Sequence, residues 1–196
     1  MDPIARLFNS PARLKLLRLF LFNDDIGLTV PDIAFRTNVV ATTVRKELKV
    51  LIAAGIVRKR SEKGKVGFVA NKRFAHYDAL QLFLRTTTRV DDAVILTTLK
   101  KAGTLRLVAL SGLFTGAVET KADLLIVGDK LEDKHLEKLV HTLEAELGRE
   151  LRFAAFSTED FRYRVGVYDR LLRDIFDYPH RTLLDKIGIS GNLSPK

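Results

Sequence analysis

The chain contains no cysteine, no tryptophan and only one methionine among its 196 residues. The absence of cysteine is compatible with a reducing cytoplasm, where we expect the protein to act. No apolar run of about 18 residues occurs, so we expect neither a membrane-spanning helix nor a membrane partner. The first residues, MDPIARLFNSPARL, lack the uninterrupted apolar core of a signal peptide.

Common catalytic patterns are also missing. The sequence has no Walker A motif and no Gly-x-Gly-x-x-Gly pattern. His135 and His141 are six positions apart on one predicted helix, about 240° around its axis, so they do not converge. His76 and His180 are isolated, and Ser111 has no obvious histidine partner. We therefore expect no metal site, no cofactor and no enzymatic activity.

What the sequence does contain is positive charge concentrated in one half. Residues 1–85 hold 16 Lys and Arg against 7 Asp and Glu, whereas residues 86–196 hold 17 of each. The whole excess of +9 therefore lies in the first half, and double-stranded DNA is the first candidate partner. A chain of this length forms one large domain or two small ones.

The basic half carries a helix–turn–helix–hairpin pattern. Thr29–Thr37 is predicted to be a short helix with a capping-box start, and Asn38–Val39 a tight turn. A second helix follows over Ala41–Gly55. Two apolar strand fragments then flank a basic tip at Ser61–Lys65, which predicts a β-hairpin.

The second helix has one apolar and one polar face. At about 100° per residue, Val44, Leu48 and Leu51 share one side, and Thr42, Lys46 and Lys49 share the other. A polar, cationic face of this kind suits a DNA major groove, although a merely solvated face is the alternative. The candidate DNA contacts are Thr42, Thr43, Arg45, Lys46 and Lys49 on the helix, and Arg58, Lys59, Arg60, Lys63 and Lys65 on the hairpin.

The segment TVRKELKVLIAAGIVRKRSEKGKVGFVAN resembles the recognition helix and wing of ArsR/MarR-type winged-helix regulators. The resemblance covers roughly residues 10–85 and implies a winged-helix domain over residues 1–85. It further implies that the helix contacts base edges, that the wing contacts the sugar-phosphate backbone, and that a homodimer reads paired half-sites. Metal-sensing members use cysteine thiolates, which this chain lacks.

The apolar segment Phe74–Leu84 follows the hairpin and is predicted to be helical. Two interpretations remain open for it, a helix of the domain core and a helix that pairs with its copy in a dimer. The polar stretch Arg85–Asp92 that follows is the expected seam between two domains.

The second half alternates helices and strands. Strands are predicted at Leu105–Leu110, Ala122–Gly128 and Leu151–Phe156. Helices are predicted at Asp91–Lys101, 132–147, from Thr158 onward, and Tyr168–Phe176. The sequence thus predicts an α+β protein, a winged helix-turn-helix followed by an α/β domain with a small mixed sheet over residues 92–196.

The run LVALSGLFTG, followed by ADLLIVGD, resembles the core of polymerase-beta-like minimal nucleotidyltransferases. That family has a Gly-Ser turn for nucleotide phosphates and a strand with two aspartates that hold divalent metals. Here Ser111-Gly112 replaces Gly-Ser, with Gly116 at the next glycine position, and Asp123 is the only carboxylate of the strand motif.

Asp123 has no partner carboxylate at either register, because Lys121 and Leu125 stand at the two candidate positions. Leu151–Phe156 offers no third acid, and Asp129 is expected to lie beyond the strand. We therefore expect a nucleotidyltransferase-like but inactive domain. A vestigial nucleotide or phosphate site would comprise Ser111, Gly112, Gly116, Lys121 and Asp123, and a generic α/β domain with a glycine-containing loop is the alternative.

These observations favour a DNA-binding transcriptional regulator. Its second domain would sense a small-molecule or protein effector, bind a partner or set the geometry of the dimer. The alternatives are a nucleotidyltransferase that modifies a protein or RNA, with the winged helix docking the substrate, and a protein-interaction module.

Overall fold

The structure, a computed structural model, describes residues 3–62, 65–117 and 119–189, apart from the side chains of Glu62 and Lys65. The chain divides into two compact units. Unit 1 comprises Met1–Val90 with His141–Glu150, and unit 2 comprises Asp91–Val140 with Leu151–Lys196. The range expected for the second domain, 92–196, included residues 141–150, which the structure groups with unit 1.

Unit 1 contains five helices and a two-stranded sheet within its described residues up to position 90. They are α1 (Pro3–Leu7), α2 (Pro11–Phe22), α3 (Val30–Thr37), α4 (Ala41–Ala53), β1 (Val57–Glu62), β2 (Lys65–Ala70) and α5 (Tyr77–Thr87). Strands β1 and β2 pair antiparallel, from Val57 opposite Ala70 to Glu62 opposite Lys65. The helices, turn and hairpin predicted between Thr29 and Lys65 therefore occur in the structure.

Local capping explains where the helices of unit 1 begin and end. The Ser10 hydroxyl accepts a hydrogen bond from the Arg13 amide at 3.1 Å, and Pro11 occupies the first turn of α2. Thr29 and Asp32 form a reciprocal capping box at the start of α3. Asn38 adopts the left-handed conformation, φ 52°, which ends α3 and turns the chain into α4.

Residues 141–150 belong with unit 1 because they pack and hydrogen-bond against α2. Arg18, only 2% exposed, donates to the Glu146 carbonyl at 2.9 Å and to the Thr88 hydroxyl at 2.9 Å. Gly148 has φ 70°, and an added Cβ there would lie 2.6 Å from the Arg18 Cβ, so only glycine fits. The contacts of Arg18 with Glu146 and Gly148 join positions more than 120 residues apart, which no sequence periodicity reveals.

Unit 2 is built on a four-stranded sheet. Its elements are α6 (Asp92–Leu99), β3 (Thr104–Leu110), β4 (Leu124–Asp129), α7 (Asp133–Leu147, whose residues from His141 belong to unit 1), β5 (Phe153–Phe156), α8 (Thr158–Gly166), α9 (Arg170–Asp177) and β6 (Arg181–Asp185). The strand order is β5-β4-β3-β6. Strands β4 and β5 are parallel and the other two pairings are antiparallel. The expected α+β class with a small mixed sheet is confirmed.

Several details of unit 2 differ from the sequence expectation. Strands β4 and β5 begin at Leu124 and Phe153, two residues later than predicted. Strand β6 was not predicted, because its apolar run is only two residues long and carries no alternation. Asp129 is the last residue of β4 and does not lie beyond it. Helix α9 begins at Arg170, since Tyr168 is in the left-handed conformation and Asp169 caps the helix.

Candidate nucleic-acid interface

A buried carboxylate fixes the orientation of α4. Glu47 is 4% exposed and accepts hydrogen bonds from Arg13 Nε and from Ser10 Oγ, each at 2.8 Å. Both donors lie at the start of α2, so the Glu47 side chain ties the inner face of α4 to that helix. Val44 and Leu48 complete this inner face in the core of unit 1. The rotation of α4 about its axis is therefore set by both packing and charge.

The opposite face of α4 is polar and open to solvent. Thr42, Arg45, Lys46 and Lys49 are exposed, and Thr43 is half-buried. Within the described residues, none of the three cations forms an ion pair, whereas Arg13, Lys15 and Arg36 elsewhere in unit 1 each pair with a glutamate. Exposed cations that form no ion pair within the chain can bind an external polyanion without first breaking an internal ion pair.

The hairpin β1–β2 carries a second group of cations. Arg58, Lys59 and Arg60 are exposed and lie opposite Val69, Phe68 and Gly67 on β2. Alternation along the strand places Arg58 and Arg60 on one face, opposite to the buried Val57. Lys63 at the expected tip lies outside the described residues, as does the side chain of Lys65.

The hairpin is anchored to the segment that leads into α3. The Leu28 amide donates to the Phe68 carbonyl at 2.9 Å, and the Phe68 amide donates to the Leu28 carbonyl at 2.8 Å. The base of the hairpin and the α3–α4 pair are thus parts of one packed unit.

Helix α5 packs mostly into the core of unit 1. Tyr77 and Leu84 are buried, and Leu80 and Phe83 pack against the same core. Leu82 is the exposed large apolar residue of this helix, at 62%. Of the two interpretations of Phe74–Leu84, the structure favours the core helix, and it leaves α5 little apolar surface for a dimer.

In unit 2 the Ser111-Gly112 turn is closed around Asp123. The Leu113 amide donates to Asp123 Oδ1 at 2.8 Å, and Ser111 Oγ donates to the Ala122 carbonyl. Gly112 has φ 49°, and a Cβ there would overlap the Asp123 carboxylate. The carboxylate of the chain itself therefore fills the space in front of this turn.

Arg152 neutralises the Asp123 carboxylate. Its Nη2 donates to Oδ1 at 2.8 Å, and its Nε and backbone amide donate to Oδ2 at 3.1 and 2.9 Å. Burial opposes ionisation of Asp123, but the bonds from Arg152 and Leu113 outweigh it and hold the pKa below its usual value. A carboxylate used in this way has no lone pair directed at a metal ion or a nucleotide.

The other residues of the suggested phosphate site are also engaged or dispersed. The amides of Phe114, Thr115 and Gly116 donate to carbonyl groups of the turn itself. The Lys121 amide donates to Asp174 at 2.6 Å, and the Lys121 side chain is exposed. The turn thus offers a phosphate few free backbone donors.

Unit 2 has a polar cavity of about 520 Å³ at the far end of β4 from Asp123. It is lined by Arg106, Asp129, Thr158, Glu159, Arg162, Lys186 and Ile187. Arg106 donates to Asp129 at 2.8 Å. The neighbouring Thr158 side chain and then Arg106 lower the pKa of this half-buried carboxyl. Three cations against two carboxylates leave the lining with a small positive excess.

Two observations bound the chemistry of the described ranges, 3–62, 65–117 and 119–189. No three His, Asp or Glu side chains lie close enough together there to hold a metal ion. No helix in those ranges is both long enough and apolar enough to cross a bilayer.

Comparison with known proteins gives no relative to reason from. No family model matches the chain, and neither a curated protein nor a solved structure matches it.

Sequence reasoning missed two residues that organise these sites. Glu47 lies within the cationic helix and was not singled out, although its i+3 spacing from Val44 indicated an inward position. Arg152 was hidden within a predicted strand, and no pattern in the sequence pairs it with Asp123 across 29 positions.

Proposed function

We propose that this chain is a transcriptional regulator that binds duplex DNA as a homodimer, with unit 1 acting as a winged-helix domain. The observation that carries the proposal is the unpaired cationic face of α4 beside the cationic hairpin. Unit 1 holds 18 of the 33 Lys and Arg and 10 of the 24 Asp and Glu, a net charge of +8. A compact basic unit with such a face suits the phosphates and groove edges of DNA.

In this proposal α4 enters the major groove. Thr42, Thr43, Arg45, Lys46 and Lys49 would contact base edges, where Arg or Lys to guanine is the commonest specific pair. Arg58, Lys59, Arg60, Lys63 and Lys65 of the hairpin would contact phosphates, which gives affinity without sequence preference. The bonds from α2 to Glu47 would hold α4 at a fixed angle to the groove.

Unit 2 would serve regulation. The nucleotidyltransferase alternative needs at least two carboxylates around its metal ions, and Asp123 is already bound by Arg152. The cavity beside Arg106 and Arg162 is a better place for an effector, because it is open and its lining has a positive excess. A small anionic molecule is the effector that this lining favours. With a DNA partner and no cysteine, the protein would act in the cytoplasm.

Selection from a pool of random duplexes tests the proposal most directly. We expect the full chain to enrich a two-fold symmetric motif, because a dimer presents two copies of α4 to two half-sites. Affinity for the enriched duplex, followed by fluorescence anisotropy, should exceed that for a shuffled duplex and fall steeply with salt. Equal, weak binding to both duplexes would contradict sequence-specific recognition and favour the protein-interaction alternative.

A further inference from the structure

We propose that two copies of this chain associate through an exposed apolar face on unit 2, in an antiparallel two-fold contact. The face, called the tyrosine face here, consists of Tyr163, Val167 and Tyr168. Their exposed fractions are 69%, 54% and 80%. Tyr163 and Val167 are four residues apart at the end of α8, so they share one side of it, and Tyr168 follows directly. Large tyrosine rings are the side chains that protein interfaces favour most.

The backbone at Tyr168 is held in a conformation that opposes an aromatic side chain. Its φ is 55°, in the left-handed region that favours glycine, and its amide donates to the Val165 carbonyl at 3.2 Å. Among the described residues, the other non-glycine positions with positive φ are Asn9, Asn38 and Lys130. The Asp169 amide also donates to the Arg164 carbonyl at 2.9 Å, so local hydrogen bonds at the end of α8 hold Tyr168 in this conformation. Packing of the mostly exposed Tyr168 ring within the chain contributes little to it.

Net charge favours a second copy of unit 2 as the occupant. Unit 2 holds 15 of the 33 Lys and Arg and 14 of the 24 Asp and Glu, a net charge of +1. Two such units approach each other with little repulsion, whereas two units of net charge +8 would repel. Helix α5, the other candidate for a dimer contact, keeps only Leu82 as an exposed large apolar residue.

The charges beside the tyrosine face specify the direction of pairing. Glu159 precedes Tyr163 by one helical turn, and Arg170 follows Tyr168 by two residues. Both are exposed, and neither forms an ion pair within the described residues. In an antiparallel contact centred near Val165, Glu159 of one copy lies near Arg170 of the partner subunit. A parallel contact would bring the two copies of Glu159 together and is disfavoured.

This inference supplies a surface for the homodimer of the proposed function, and it fails separately from DNA binding. Sedimentation of the full chain without DNA, over a range of concentrations, tests it. We expect a reversible dimer that Tyr163→Ser weakens by about tenfold or more, as for a central interface aromatic. Tyr178→Ser is the matched control, because that tyrosine is also in unit 2 and 40% exposed. It should leave the dissociation constant unchanged.

Tyr168→Gly separates association from folding. Glycine relieves the left-handed strain, so the melting temperature of the dilute monomer should rise by about 2 °C. Dimerisation should weaken by about tenfold in the same variant, because the ring is lost. A merely structural Tyr168 would give no change in association.

A charge exchange tests the antiparallel direction. Glu159→Arg and Arg170→Glu should each weaken the dimer, and the double variant should restore it. A wild-type chain that sediments as a monomer at every concentration overturns the proposal, as does an unchanged dimer in Tyr163→Ser. A double variant that is weaker than both single variants overturns the antiparallel contact. None of these outcomes would contradict the enrichment of a DNA motif, so DNA binding is tested separately.

Discussion

The outer face of α4 and the Ser111-Gly112 turn both carry charged groups, but those groups are in opposite states. On α4, Arg45, Lys46 and Lys49 are exposed and form no ion pair within the described residues. At the turn, the Asp123 carboxylate accepts four hydrogen bonds, from Leu113 and three groups of Arg152. The first region is available to an external partner, whereas the second is already satisfied from within.

What a motif can bind depends on the bonds that its groups already make within the chain. A cation with no internal partner can release its counterions and bind an anion. A buried carboxylate that is bound by arginine would have to break that pair before it could bind anything else, which costs several kcal/mol in general. We therefore propose that α4 and the hairpin carry recognition and that Asp123 has a structural role.

The largest expected effect is on DNA affinity. Arg45→Ala combined with Lys46→Ala should weaken binding to the selected duplex by about 3 kcal/mol, roughly a hundredfold, since each good base contact contributes about 1–3 kcal/mol. The double variant should also relax sequence preference at particular base pairs. Fluorescence anisotropy on the selected and single-substituted duplexes measures both changes.

The matched control is Lys100→Ala combined with Lys101→Ala, which removes the same charge from exposed positions of unit 2. It should change affinity little, because these lysines lie outside the proposed interface. Equal losses in the two double variants would mean that net charge alone drives binding, and the recognition role of α4 would then be wrong.

The second prediction concerns the stability of unit 2. Asp123→Asn should destabilise unit 2 by about 2 kcal/mol. A neutral amide does not balance the charge of the Arg152 guanidinium, and its NH₂ group would face the N–H donors that the carboxylate now accepts from. The figure is below that for a fully buried pair, since the Arg152 side chain is 53% exposed. Chemical denaturation measures the change, with Glu137→Gln, at an exposed carboxylate in the same unit, as a control. Equal stability of the two variants would contradict the role of Asp123.

The third prediction is that acid removes the contribution of the Asp123 carboxylate to folding stability. The pKa of Asp123 is lowered in the folded state, so its ionised form stabilises the fold above the unfolded pKa of about 3.9. That contribution is lost as the pH falls from about 4 through the lower folded value. We expect wild-type stability to decline more steeply than that of Asp123→Asn in this range. Parallel pH profiles would show that Asp123 is not the group responsible.

Much of unit 1 could be predicted from the sequence, because its elements are set by local rules. The capping box at Thr29, the left-handed Asn38 and the two faces of α4 all follow from residues close together in the chain. The spacing of Glu47 from Val44 indicates its inward position, but its partners could not be predicted, since they lie 34 and 37 positions away.

The fold class of unit 2 could be predicted from the sequence, but some of its strands and side-chain contacts could not. Apolar runs revealed β3 and β4, but β6 is held by pairing with β3 and not by its own pattern. The state of Asp123 depends on Arg152, which lies just before β5 and becomes its neighbour only when β4 and β5 pair in parallel. Hydrogen bonds between residues that are distant in the chain cannot be predicted from the periodicity of apolar residues.

Removing cations from the hairpin should weaken DNA binding less than removing them from α4. Arg58→Ala combined with Arg60→Ala should lower the slope of log K against log salt by about 1.8, since each lost phosphate contact contributes roughly 0.9. Affinity should fall about equally on selected and shuffled duplexes, because phosphates carry no sequence information. A salt titration of both duplexes measures the slope. An unchanged slope would show that this face of β1 does not touch DNA.

The last prediction is that the protein transfers no nucleotide. Transfer needs metal ions held by at least two carboxylates, so that the charge of the triphosphate is neutralised while the attacking oxygen is activated. Asp123 is bound by Arg152, and Lys121 and Leu125 occupy the two positions where a partner acid would stand. The measurement is incubation of the full chain with magnesium or manganese, each labelled nucleoside triphosphate and cell extract as acceptor. Labelled product that is lost in Asp123→Ala but kept in Asp174→Ala would sink this expectation, because the carboxylate would then have to leave Arg152 and bind metal during the reaction.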